Sequence, residues 1–291
     1  MSPHSTVSVA VTNLWGRPGA VRPVDAAMLA DQPDLDAWLG AMDSAARPDQ
    51  GRLGLHDRLL TQLAHGEPVH VHAAAQQATG GWQQVSCPWQ PAAGGPSGGG
   101  AEGYRGWVVA AHLRGDGEPG LDAEPSGTDP AGTDATGTDP SGTDQPDRQA
   151  GSVALLDAAR TYLGVPYLWG GCCAEAVDCA GLVHLAARAV GLLAPRDAAD
   201  QYDACQPVPV ARAGPGDLLF FARHGSRPHH VGIVAAPGRM LHAPETGAVV
   251  VEEALGEELM ATLVAAGRLV RRQPGGAECS AVGSVPARPK G

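Results

Sequence analysis

"WGGCCAEAVDCAGLVHLAARAVG", residues 169–191, places three of the chain's six cysteines within eight positions, and an apolar helical pattern starts directly behind the third. Leu182, Ala186 and Val190 recur at helical spacing up to Gly191, so the stretch reads as a Gly-rich turn feeding a helix. Four roles compete for these cysteines: metal ligand, disulfide partner, packing and nucleophile. Structural zinc sites favour closely spaced Cys pairs with a second pair downstream. Cys172, Cys173 and Cys179 do not have that spacing, and Cys205 has no near partner, so no metal site is expected. Buried packing is the usual fate of a free cysteine, and it is the expectation for Cys87, Cys172, Cys173, Cys205 and Cys279. Cys179 differs in position. At a helix start, unpaired N–H groups and the positive dipole end face the thiol and favour thiolate. A nucleophile also needs a base, and the base an orienting group. His230 in "HHVGIV" and His242 in "MLHAPE" are candidates, although either one alone is better read as a structural histidine.

At 291 residues, 43% of them hydrophobic, the chain can hold one large or two modest domains, and 40 Gly with 25 Pro imply many turns. The formal charge of −11 is concentrated. Residues 115–150 hold nine acidic side chains against Arg148 alone, which leaves the rest near neutral. No basic stripe tracks phosphates, so nucleic acid is not an expected partner. No run of about 20 apolar residues would span a bilayer. "MSPHSTVSVAVTNLWGRPGA" lacks a signal-peptide pattern. The expected setting is therefore cytoplasmic, without membrane contact and without a disulfide framework.

Gly-Thr-Asp recurs every five residues from Gly127 to Asp144, a repeat too short and polar to bury a core. Residues 115–150 are read as a disordered acidic linker. Calcium binding by its aspartates is a weak alternative, since the spacing matches no EF-hand loop. Ahead of it, in residues 1–114, "PVHVHAA" (68–74), "GWQQVSC" (81–87) and "RGWVVAAHL" (105–113) alternate as strands, with a long hairpin loop at 91–103. Residues 25–63, including "LDAWLGAM" and "GLHDRLLTQLAHG", are read as helical, giving a small β-barrel with a helical preface. In residues 151–272 a helix is expected from the N-cap Ser152 to Gly164, a second from Cys179, and strands at 217–221, 230–236, 239–244 and 248–254. That order predicts an α+β domain. Residues 273–291 are read as a disordered tail.

"PYLWGG", "AVDCAGLV", "APRDAADQ", "GPGDLLFF", "HVGIV" and "MLHAPETG" occur in an order and spacing that resemble the NlpC/P60 family of cysteine peptidases, over about residues 152–255. The resemblance implies a papain-like catalytic domain without cofactor. It makes Cys179 the nucleophile, His230 the base, His242 its orienting group and Tyr167 a neighbour that polarises the acyl oxygen. "TQLAHGEPVHVH" and "GYRGWV" resemble the bacterial SH3 domain that precedes such a domain in γ-D-glutamyl-L-diamino acid endopeptidases. By that resemblance Glu67, Tyr104 and Asp178 hold the free amine of an N-terminal L-alanine, while Arg196 and Asp197 line the substrate groove. The implied activity is cleavage of murein tripeptides or tetrapeptides at the γ-D-glutamyl–diamino acid bond, in wall-peptide recycling. Ala180 and Ala176 depart from the family's usual serine and glycine. Two other readings follow: an exported wall-lytic enzyme, or an inactive murein-peptide-binding module. The sequence sets neither the diamino acid nor the oligomeric state.

Overall fold

Two antiparallel sheets, one in each half of the chain, carry the architecture of the computed structural model, which describes residues 4–72, 81–92, 102–115, 144–245 and 249–270. The front sheet contains β1 (His4–Val7), β2 (Val11–Trp15), β3 (Leu59–Ala64), β4 (Pro68–Val71), β5 (Trp82–Cys87), β6 (Tyr104–Val109) and β7 (Leu113–Gly115), in the order β3-β2-β6-β5-β4-β1-β7. This sheet cannot be flat. β1 and β2 stand four places apart, about 19 Å at the usual strand spacing. The chain from Val7 to Val11 reaches at most ~14 Å, so the sheet curls to bring them together.

Between β2 and β3 lie 3-10 turns and α1 (Leu35–Asp43), whose N-cap Asp34 accepts a 2.9 Å hydrogen bond from the Ala37 N–H. The expected helix across residues 54–66 is a correction: a 3-10 turn at Arg52–Leu55 is followed by β3. Leu59, Thr61, Gln62 and Leu63 are all buried, so β3 is covered on both faces. A strand of that kind loses its alternation and imitates a helix.

The second half contributes α2 (Asp144–Arg160), α3 (Cys179–Ala189), α4 (Ala198–Ala204), β8 (Gln206–Val208), β9 (Leu218–Phe221), β10 (His230–Ala236), β11 (Arg239–His242), β12 (Val251–Ala254), α5 (Glu257–Thr262) and β13 (Leu263–Arg268). Its sheet runs β12-β11-β10-β9-β13-β8. Leu155, Leu156 and Ala159 of α2 and Leu182, Val183 and Ala186 of α3 pack on Leu218, Phe220, Val231, Ile233 and Leu241. The fold is thus α+β. α2 begins at Asp144, two turns before the expected Ser152; Pro146 falls in its first turn, where a missing N–H is tolerated. Most of the linker (116–143), most of the front hairpin loop (93–101) and the tail (273–291) lie outside the described residues.

The halves share a core. Leu168, Cys173 and Ala176 of the second half pack with Trp15, Trp38, Leu55 and Leu59 of the first. Ala176, fully buried, fills this seam with the methyl that a glycine would lack. Among the described residues no helix is long and apolar enough to cross a membrane.

Candidate active site

Cys179 opens α3, and the preceding Asp178 is its N-cap. One Asp178 oxygen accepts from the Gly181 N–H at 2.7 Å and the other from the Gly170 N–H at 3.0 Å. Asp178 therefore ties the Gly-rich turn to the helix start. Gly170 has φ +73°, a left-handed conformation that favours glycine. At Gly181 an added Cβ would sit 2.1 Å from the Gly171 carbonyl, so glycine is required for that close approach.

The two histidines come from adjacent strands. His230 lies opposite Phe221 on β9, its ring 5.6 Å from the phenyl ring. His230 Nε2 and His242 Nδ1 are 2.8 Å apart, and His242 Nε2 lies 2.9 Å from Glu253 Oε1. Glu253 extends the pair to a chain of three and was not anticipated. His242 faces Val251 across the β11–β12 ladder, and Glu253, two residues on, is the diagonal neighbour on the same face. The strand period of two, which puts Val251 and Glu253 of "VVVEEA" on one face, is the signal that could have revealed it. Gly232 clears the space: a Cβ there would lie 2.7 Å from the Met240 sulfur and 3.3 Å from His242 Cβ.

A cavity of about 270 Å³ gathers Cys179, His230, His242, Tyr167, Asp178 and Asp197, with Trp169, Glu245 and Leu60 of the front sheet in its walls. His230 spends Nε2 on His242, which leaves Nδ1 outside that pair. Two influences oppose each other at Cys179. Burial, with the Asp178 carboxylate adding, pushes the Cys179 thiol up to about 12, against the opposing pull of the Val231 and Ala180 N–H groups and Arg196. Burial, helped by His242 and His229, pushes His230 down to about 3. Burial thus disfavours the charged form of both groups, against the helix-start N–H groups that favour the thiolate. Burial also raises the Tyr167 phenol, so it stays protonated as a donor.

Arg196 and Asp197 are both placed near Cys179, in different ways. Arg196 is buried and grips Asp178 with two nitrogens at 2.8 and 2.7 Å, while also donating to Thr61 Oγ1 at 2.8 Å and the Gly171 carbonyl at 3.1 Å. It supports the cavity wall and does not line it. Asp197 does line it and accepts a hydrogen bond from the Tyr104 hydroxyl.

Glu67 is not a wall residue. Its carboxylate is buried, accepting from the Gln90 side-chain amide at 2.9 Å and the Ala64 N–H at 3.2 Å. The expectation that Glu67, Tyr104 and Asp178 meet around one amine is therefore not realised in this structure. Glu67 reaches Asp178 only through a chain: Gln90, whose amide oxygen accepts from Thr61 at 2.7 Å, then Thr61, then Arg196. Ala180 lines the cavity, and its carbonyl accepts from Gln201 at 2.9 Å. Cys87, Cys172, Cys173 and Cys205 are free and buried, as expected of packing cysteines; Cys279 lies outside the described residues. Among the described residues no group of His, Cys, Asp and Glu could hold a metal ion.

A sequence model of the NlpC/P60 family matches residues 164–268. A Bacillus subtilis (strain 168) relative named γ-D-glutamyl-L-lysine dipeptidyl-peptidase is 31% identical over 286 residues, covering 84% of this chain and 90% of that protein. The peptidoglycan endopeptidase RipB of Mycobacterium tuberculosis is 39% identical over 98 residues, covering 29% of this chain and 40% of RipB. A crystal structure of a Bacillus cereus NlpC/P60 family protein superposes with a TM-score of 0.71 at 22% identity, over 91% of this chain and 99% of that one. That likeness establishes a shared fold through both halves.

Proposed function

Because this chain belongs to the NlpC/P60 family of cysteine peptidases, we propose that it cleaves the γ-D-glutamyl–diamino acid bond of murein peptides carrying a free N-terminal L-alanine. The observation that carries this reading is the convergence of Cys179, His230 and three carboxylates in one cavity walled partly by the front half. Cys179 Sγ attacks the scissile carbonyl carbon as His230 Nδ1 takes its proton. His242 and Glu253 steady the imidazolium that forms. The Cys179 N–H, an unpaired donor of the helix start, and the Tyr167 hydroxyl receive the charge that develops on the carbonyl oxygen. His230 then protonates the departing amine, and water releases the thioester. The acidic walls suit a substrate that presents ammonium groups. The L-lysine in the name of the B. subtilis relative supports a diamino acid on the leaving side.

The front sheet takes the part of a bacterial SH3-like barrel: its curl and the 3-10 turn joining β6 to β7 support that assignment. The enzyme acts on released wall peptides in the cytoplasm, in recycling. Incubation with L-Ala-γ-D-Glu-diaminopimelate and its lysine counterpart, followed by mass spectrometry, tests the reading. The expected product is the dipeptide L-Ala-γ-D-Glu from the free peptide, with little from its N-acetylated form. Release of fragments from intact sacculi would instead indicate a wall-lytic enzyme. No turnover of any of these would indicate a binding module.

A further inference from the structure

We propose that Glu245, at the cavity rim, is the carboxylate that takes an ammonium group of the peptide, with Trp169 and His56 forming the platform beside it. This deepens the proposed peptidase activity and rests on it. Three carboxylates line the cavity, and two are already engaged. Asp178 is held by the Arg196 guanidinium, a permanent cation, and its oxygens also accept from two backbone N–H groups. Asp197 accepts from the Tyr104 hydroxyl, which occupies one of its oxygens. Asp178 is thus neutralised already, and Asp197 is shared with a phenol of the front sheet.

Glu245 is different. Its side chain is 42% exposed, and its ionic contact among the described residues is with His56 Nε2 at 3.2 Å. That contact lacks hydrogen-bond alignment, since His56 Nε2 has no hydrogen-bond partner. The carboxylate thus faces an imidazole that holds it loosely. His56 itself is fixed by stacking on Trp169, with ring centroids 3.9 Å apart and planes 24° from parallel. Trp169 in turn donates from its indole nitrogen to the Leu59 carbonyl at 3.2 Å. The result is a rigid aromatic wall beside a solvated carboxylate at the mouth of the nucleophile's cavity. An ammonium replacing the misaligned imidazole contact gains a charge-assisted hydrogen bond without breaking one. Aromatic faces also attract cations. The substrate offers two such groups, the N-terminal amine and the side-chain amine of the diamino acid.

The test compares wild type with Glu245→Gln on three peptides: L-Ala-γ-D-Glu-L-Lys, its N-acetyl form, and its norleucine analogue, which lacks the side-chain amine. On the parent peptide Glu245→Gln is expected to lower kcat/KM about tenfold, the factor given by loss of roughly 1.4 kcal/mol. If that loss vanishes on the norleucine peptide, Glu245 reads the side chain; if it vanishes on the acetylated peptide, it reads the terminus. Either result supports the proposal. Glu245→Asp should recover part of the rate. An equal loss on all three peptides, or no loss on the parent, overturns it while leaving the peptidase reading intact. Wild type inert on all three overturns that reading and this inference together.

Discussion

Replacing Arg196 by methionine keeps most of the side chain's volume and removes its charge. Arg196 is 1% exposed and makes four hydrogen bonds: two to Asp178, one to Thr61 and one to the Gly171 carbonyl. Its loss leaves the mostly buried Asp178 carboxylate without a cation. Removing one partner of a buried pair costs about 3–5 kcal/mol, a large share of a usual stability of roughly 5–15 kcal/mol. At about 2–4 °C per kcal/mol for a domain of this size, Tm should fall by roughly 6–20 °C. Activity should fall further than stability alone explains, because Asp178 caps the helix that presents Cys179. Arg196→Lys, with charge but no planar fork, should lie between. Adding Asp178→Asn to Arg196→Met should recover stability, since asparagine still caps and no unpaired charge remains. Thermal unfolding followed by circular dichroism, with kcat/KM measured well below Tm, checks all four proteins. If Arg196→Met melts with wild type and Asp178→Asn adds nothing, the pair does not hold the helix start.

Other outcomes follow from the same geometry. Cys179→Ala and Cys179→Ser should abolish turnover with Tm preserved; iodoacetamide should label Cys179 ahead of Cys172 and Cys173 because the cavity reaches it, and slowly at neutral pH because burial holds the thiol near 12. Faster labelling of Cys172, with cleavage surviving in Cys179→Ala, contradicts the assignment. Glu253→Gln should lower kcat by about 3- to 10-fold, a modest effect for a carboxylate 48% exposed, and alter the pH profile of kcat; an unchanged profile would show that His242 needs no carboxylate. Burial lowers the pKa of His184 to about 3, so its neutral form favours the fold and protonation favours unfolding. Stability should therefore be full above pH ~6.5 and fall as pH drops below that value. The pH slope of Tm should be shallower in His184→Gln, and parallel slopes would argue against this origin.

The nucleophile's helix and the strands carrying both histidines were legible because their patterns are local: apolar spacing behind Cys179 and alternation around His230 and His242. Both sheets hold more than the sequence suggested. β1, β2, β8 and β13 are short or irregular, and β13 pairs with β9 some forty residues earlier, across a register shift. β3 misled for a physical reason. Its polar Thr61 and Gln62 are buried to meet Arg196 and Cys173, partners more than a hundred residues away. The resemblance made Glu67 a binding residue; in the structure its carboxylate accepts from the Gln90 amide, a contact no local pattern announces. Helix-end electrostatics at Cys179 are legible in the sequence, whereas the burial that opposes them is a property of the packed fold.

The seam between the halves has a consequence for how the chain can be cut. A division at the acidic repeats separates the two sheets in sequence but passes through a single cooperative unit. The fragment beginning at α2 would present Leu168, Cys173 and Ala176 to water and strip Arg196 of its Thr61 acceptor. The fragment ending at β7 would expose Trp15 and Leu59 and leave the polar side chains of β3 unmatched. Intact protein should therefore melt in one calorimetric transition, and each half should depend on the other as a folding template. Variation at the seam is constrained in pairs, since a change in size on one side requires an answering change on the other.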